Sequence, residues 1–260
     1  LAVRKDGVVA SGDNVGEVNV RKVGEAASIF RRETGGGAVS SLAWLKDGTL
    51  AVGTTDKVEL WKTGRCVNTL KVSSDCIALC ALPDGSFLGG SGEGEIKHWR
   101  DGKCVRELKG HTDYVLSLIR LKNGKIASGS YDRTIKIWDL EKGKCLHTLE
   151  GHTDVVTALA ELPDGRIASA SQDKTIKLWR DQTCEATLTG HSDWVRCLAV
   201  LPDGTLASGS LDTTIKLWNT KDGACIRSFR HHTKRVSALA VLKDGTLLSG
   251  SHDGNVEALR

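Results

Sequence analysis

A turn dipeptide that recurs seven times constrains this chain more than any other feature. It stands at Asp6-Gly7, Asp47-Gly48, Asp84-Gly85, Asn123-Gly124, Asp164-Gly165, Asp203-Gly204 and Asp244-Gly245, 37 to 41 residues apart. Asp-Gly and Asn-Gly supply the positive φ angles that tight hairpins need, so each copy marks a reversal between two strands. A fixed period near 40 residues signals a repeat architecture, in which no unit can bury its apolar face alone and stacked neighbours share one core. The 260 residues therefore read as a single domain, 1–260, where length alone would allow two.

Four strand-like runs fill each unit. One precedes the turn (VVTALAEL), one follows it (KIASGS, RIASAS, TLASGS), a third carries a Trp (TIKIW, TIKLW) and a fourth begins at a Cys (CLHTL). Their alternation and β-branched content predict strands, and no segment holds a helical period long enough to compete. Four strands per unit predict an all-β, seven-bladed propeller of four antiparallel strands per blade, a to d from the hub outward. The approximate blade limits are 1–33, 34–71, 72–109, 110–150, 151–189, 190–230 and 231–260. Leu1-Ala2-Val3 match Leu198-Ala199-Val200, so the chain opens in strand a of blade 1. It ends at Val256-Glu257-Ala258-Leu259-Arg260, in strand c of blade 7, which lacks its outer strand. Residues upstream of Leu1 are expected to supply that strand, because an unpaired edge invites aggregation or a partner's strand.

The stretch GHTDYVLSLIRLKNGKIASGSYDRTIKIWD resembles the signature of the WD-repeat (WD40) family, with its Gly-His start and Trp-Asp end. The resemblance is clear in repeats four to six and partial elsewhere. It implies structural tetrads at His111, Ser128, Asp132, Trp138; at His152, Ser169, Asp173, Trp179; and at His191, Ser208, Asp212, Trp218. In each, the indole N–H would meet the Ser hydroxyl, the hydroxyl the His, and the His the Asp. The same residues could be misread as three hydrolase triads, but a triad is defined by geometry and roles. A hydroxyl already held by an indole is poorly placed to attack, and a threefold copy fits a structural rule. The other repeats depart from the pattern. Blade 7 has Leu259 for Trp beside His232, Ser249 and Asp253. Blade 3 has Gly89 for Ser and Glu93 for Asp. Blade 2 has Val52 for Ser beside Asp56 and Trp61. Blade 1 keeps Ser11 but has Val15 and Arg21 for Asp and Trp. Blades 1 to 3 are thus expected to depend more on apolar packing and to be the more mobile ones.

The resemblance also implies that the end carrying the d–a and b–c loops receives peptides through three slots per blade. Blade 4 offers Tyr114, Leu116 and Tyr131; blade 5 Val155, Thr157 and Gln172; blade 6 Trp194, Arg196 and Leu211; blade 7 Arg235, Ser237 and His252. Aromatic and Arg side chains are enriched in binding hot spots, which draws attention to Tyr114 and Trp194. Arg196, Lys234 and Arg235 add positive charge, so an acidic or phosphorylated peptide is the expected ligand. Trp44, at the slot of Glu161, suits either packing or a contact on the opposite face.

Composition narrows the function classes. The net charge of +4 is spread over all repeats, where a nucleic-acid binder would cluster its basic residues. No apolar run approaches the ~18 residues of a membrane span, and no signal peptide is visible. Eight cysteines include no C-x2-C pair of the kind zinc needs. Cys66, Cys104, Cys145, Cys184 and Cys225 fill one slot in successive repeats, too far apart for disulfides. All eight are expected to be reduced and mostly buried, suiting the cytoplasm or nucleus. No catalytic residue, cofactor or metal is implied. The expectation is a non-catalytic scaffold or adaptor for proteins and peptides, with no membrane or nucleic-acid partner. The alternative is the substrate-recognition domain of a larger ubiquitin ligase or kinase.

Overall fold

The computed structural model describes residues 1–4, 6–25, 27–35, 37–72 and 74–259. They form seven antiparallel sheets in which strands follow one another in chain order. Blade 1 is Ala2–Val3, Val8–Gly12, Glu17–Lys22 and Ser28–Glu33. Blade 2 is Ser41–Trp44, Leu50–Gly53, Lys57–Lys62 and Arg65–Lys71. Blade 3 is Cys76–Ala81, Phe87–Ser91, Ile96–Arg100 and Lys103–Leu108. Blade 4 is Val115–Arg120, Ile126–Ser130, Ile135–Asp139 and Lys144–Leu149. Blade 5 is Val156–Glu161, Ile167–Ser171, Ile176–Arg180 and Thr183–Leu188. Blade 6 is Val195–Val200, Leu206–Ser210, Ile215–Trp218 and Cys225–Phe229. Blade 7 has three strands, Val236–Val241, Leu247–Ser251 and Val256–Leu259. Arg260, assigned from the sequence to the last of these, lies outside the described residues.

The core is a ring of seven apolar clusters, each shared by two neighbouring blades. Trp138 of blade 4 packs with Leu88, Ile96 and Leu108 of blade 3, and Trp179 of blade 5 with Ile135 and Leu149 of blade 4. Trp218 joins blades 5 and 6, and Trp61 packs with Val18 and Val20 of blade 1. Burying one such side chain contributes about 1.5–3 kcal/mol, so adjacent sheets rather than single ones are the stable unit. The ring closes where Leu1, Val3 and Val9 of blade 1 meet Leu242 and Leu248 of blade 7, the smallest cluster.

Strand d is solvated on both faces, with only its last apolar residue buried in blades 3 to 6. This overturns the expectation of mostly buried thiols. Cys66, Cys104, Cys145, Cys184 and Cys225 are exposed on those edge strands, and only Cys76 and Cys197, on inner strands, are buried. Burial raises both of these thiols to about 12. Trp44 packs: its indole N–H donates to the Ala2 carbonyl at 3.3 Å, and the Arg4 guanidinium lies over its ring. Glu161, in the same slot, accepts from Lys122 N at 2.8 Å, so the slot ties strand a to the preceding blade in both cases.

Candidate peptide-binding face and the relays beneath it

The polar relays set the loops that form the candidate face. In blade 4, Trp138 Nε1 donates to Ser128 Oγ at 2.8 Å. Ser128 Oγ lies 2.7 Å from His111 Nε2, and His111 Nδ1 lies 2.6 Å from Asp132 Oδ2. The same three distances are 2.7, 2.7 and 2.6 Å in blade 5 and 2.8, 2.7 and 2.7 Å in blade 6. An indole N–H can only donate and a carboxylate only accept, which gives the chain one direction when the imidazole is neutral. Trp donates to Ser, the Ser O–H to Nε2, and Nδ1–H to Asp. Ser128, Ser169 and Ser208 are completely buried and already occupied by the indole, so no substrate carbonyl reaches them.

Each relay carboxylate also organises its loops. Asp132 accepts from the Thr134 hydroxyl and N–H and from Thr112 N, joining the b–c turn to the d–a loop. Burial alone would raise its pKa, but the hydrogen bonds from His111 and Thr134 outweigh that and hold it well below the usual carboxylate range. Asp173 and Asp212 are depressed in the same way. The Gly before each His is a packing requirement: a Cβ on Gly151 or Gly190 would stand 3.2 or 3.3 Å from the ring of Trp179 or Trp218, at φ near +147°.

The weaker repeats vary. Blade 7 keeps His232 between Ser249 and Asp253 at 2.8 and 2.9 Å without an indole. In blade 3, Gly89 leaves Trp99 Nε1 buried with no partner among the described residues. Blade 2 solves the same problem with a residue the sequence reading missed. Trp61 Nε1 donates to Glu59 Oε2 at 2.9 Å, Glu59 Oε1 accepts from Gly35 N at 3.1 Å, and Lys57 Nζ lies 3.2 Å away. Glu59 pairs with Val52 across the sheet, as Lys136 pairs with Ser128, so the acceptor has moved one strand outward. Blade 2 therefore departs from the expected reliance on apolar packing. The visible signal was a Glu in an otherwise apolar strand, VELW.

Two local devices build the face. In blades 4 to 7 the second slot is the extra residue of a β-bulge at the start of strand a, because Val115 pairs with Ser130 and Ser117 with Gly129, leaving Leu116 unpaired. Thr157, Arg196 and Ser237 sit in the same bulge, a device that re-aims side chains. A backbone bond then brings the first and third slots together in every one of these blades: Tyr131 N to Tyr114 O, Gln172 N to Val155 O, Leu211 N to Trp194 O, and His252 N to Arg235 O, at 2.9 to 3.1 Å.

The four blades present different chemistry. Tyr114 and Tyr131 are exposed and touch, with ring centroids 5.7 Å apart, and Leu116 is half-buried beside them. Trp194 and Arg196 are exposed and Leu211 half-buried. Lys234, Arg235 and His252 are exposed, with Arg235 Nη2 3.2 Å from His252 Nδ1. Blade 5 differs from expectation. Gln172 is 8% exposed, and Val155 and Thr157 are buried with it, the Thr157 hydroxyl donating to the Val195 carbonyl at 2.5 Å with the Ala170 carbonyl 3.2 Å away. A short β-branched residue that finds backbone acceptors turns inward where Arg196 turns outward. Gln172 is thus withdrawn from the exposed face.

The exposed part is cationic. No carboxylate pairs with Arg196, Lys234 or Arg235 among the described residues. Burial, then the charges of Arg235, Arg196 and Lys234, lower the pKa of His252. Among the described residues no three His, Cys, Asp or Glu converge as a metal site, and no helix is long and apolar enough to cross a membrane.

Comparison with known proteins agrees with this architecture. The family model described as "WD domain, G-beta repeat" matches residues 102–139, 143–180, 182–219 and 223–257, more than half of the chain. No curated protein sequence gave a significant match. The WD40 β-propeller domain of Doa1, a solved structure, is similar over 98% of this chain and 89% of its own, at 26% identity and a TM-score of 0.87.

Proposed function

The chain belongs to the WD40 repeat family, whose propellers typically serve as non-catalytic modules for protein–protein contact, and on that footing we propose that it is a scaffold or adaptor binding acidic or phosphorylated peptides across blades 4, 6 and 7. One observation carries the reading. Arg196 stands exposed on the blade that exposes Trp194, Lys234 and Arg235 stand exposed on the next, with Arg235 Nη2 3.2 Å from His252 Nδ1, and none of the three cations has a carboxylate partner among the described residues. Unpaired cations on a relay-stabilised platform attract an anionic ligand and orient it, and an exposed indole adds an apolar anchor. Tyr114 and Tyr131 offer a second contact, separated from the first by the closed blade 5. The surface would hold a ligand in two places with a gap between.

The test is binding of a phosphorylated acidic peptide and its unphosphorylated neutral counterpart to the purified chain. The acidic peptide should bind more tightly by about tenfold or more, since charge-assisted bonds contribute about 1.5–3 kcal/mol each. Arg196→Glu with Arg235→Glu should abolish that difference, and Trp194→Ala should weaken both peptides. Equal affinity for the two peptides, or indifference to the charge reversal, contradicts the assignment.

A further inference from the structure

A cleft of about 630 Å3 opens between blades 3 and 4, at the end of the disc that carries the a–b turns and away from the face above. That volume suits two or three residues of a bound peptide, within the roughly 300–1,000 Å3 of ligand sites. Leu82, Val105 and Leu140 give it an apolar lining, and Arg100, Arg106 and Arg120 bring three guanidinium groups to it.

The charges are unevenly satisfied. Arg100 is spent on Asp84, whose Oδ2 lies 2.5 Å from its Nη2. Arg106 and Arg120 have no ion pair or side-chain hydrogen bond among the described residues. Glu141, exposed at the edge, is one carboxylate against these two free cations. Arg106 is also fitted to the neighbouring blade. Its Nη1 stands 2.6 Å from where a Cβ would lie on Gly143, a residue at φ +66°, so any side chain there would displace the guanidinium.

A buried histidine completes the wall. His98 is 6% exposed, and its Nε2 lies 2.8 Å from Ser86 Oγ. The Ser86 hydroxyl donates to Asp84 Oδ1 at 2.6 Å, so His98 Nε2–H must donate to Ser86. That leaves Nδ1 without a partner among the described residues. Burial is the main cause that lowers its pKa, and the charges of Arg100 and Arg106 act in the same direction while Asp84 opposes them.

We propose that this cleft is a second peptide-binding site, for a segment of a partner protein in which an acidic side chain stands beside an aliphatic one. Arg106 and Arg120 receive the carboxylate, while Leu82, Val105 and Leu140 receive the aliphatic group. None of these residues belongs to the face formed by blades 4, 6 and 7, so the two sites stand or fall separately.

The probes are N-acetyl-Leu-Glu-amide and its neutral counterpart N-acetyl-Leu-Gln-amide, titrated into the isotope-labelled whole chain and followed by chemical shift. The Glu peptide should saturate the cleft resonances, with the Gln peptide weaker by about tenfold. Arg106→Gln and Arg120→Gln should each remove that preference while the melting temperature is kept, because neither arginine has a partner to lose. Arg196→Gln with Arg235→Gln should leave it intact. No saturable binding, equal binding of the two peptides, indifference to Arg106→Gln and Arg120→Gln, or loss on changing the blade 6 and 7 arginines would each overturn the proposal.

Discussion

Ser169→Ala in blade 5 measures what a relay contributes. Ser169 is completely buried, accepts the Trp179 N–H at 2.7 Å and lies 2.7 Å from His152 Nε2. Alanine removes one oxygen and leaves two enclosed polar groups without partners, each costing about 1–3 kcal/mol. The vacated space is smaller than the roughly 30 Å3 share of one water, so solvent does not repair the loss. The expected destabilisation is about 2–5 kcal/mol, which for a chain of this size lowers Tm by about 5–15 °C. Calorimetry at neutral pH reads the shift, and the indole N–H resonance of Trp179 reports the broken bond directly. A double-mutant cycle with Trp179→Phe isolates the pair: once the indole N–H is gone, removing Ser169 strands one group fewer, so the double variant should be less destabilised than the sum by about 1–2 kcal/mol. Ser11→Ala in blade 1 is the control, because its hydroxyl has only a 3.4 Å contact to the Asn19 carbonyl. A Tm for Ser169→Ala equal to that of Ser11→Ala, or strict additivity in the cycle, would refute the reasoning.

Three further outcomes are expected. Glu59→Ala should cost about 2–4 kcal/mol in denaturant unfolding, since it strands the Trp61 indole and Gly35 N together. Trp99→Phe should cost less than Trp138→Phe by about 1–3 kcal/mol, because Trp99 Nε1 has no hydrogen bond to lose. Acid should unfold the chain through its loop carboxylates. Asp132, Asp173 and Asp212 are held well below 3.8 in the folded chain, and Asp253 is lowered to about 2, with hydrogen bonds outweighing burial in each. Groups depressed by folding contribute fully above their unfolded pKa and lose that contribution as pH falls through the folded one. Stability should therefore fall from about pH 4 towards 2 and below, and Asp253→Asn should flatten part of that fall in a pH series of melts.

Much of the architecture was readable because its causes are local. The Asp-Gly turns specify reversals, alternation specifies strands, and a fixed period makes every blade repeat the same contacts. The tetrads of blades 4 to 6 were readable through the resemblance to the WD-repeat signature, whose motif residues recur here at constant spacings of 21 and 6 within one hairpin unit. Glu59 stood out as a charge in an apolar strand, but its role was not readable, since it replaces a serine from another strand and depends on cross-strand register. Gln172 was not readable either, because its withdrawal follows from Val155 and Thr157 turning inward, and Thr157 does so by reaching the Val195 carbonyl of the next blade.

The sequence by itself determined the seven units, their four-strand hairpins and the polar relays within them, because those depend on residues a few tens of positions apart. Only the tertiary structure decided which surfaces stay open. The exposed cysteines of strand d, the closed slots of blade 5, the exposed cations of blades 6 and 7 and the arginine cleft between blades 3 and 4 all depend on how one blade is set against the next. Packing between units is what fixes solvent access and the field at a charged group, and no repeat carries that information alone.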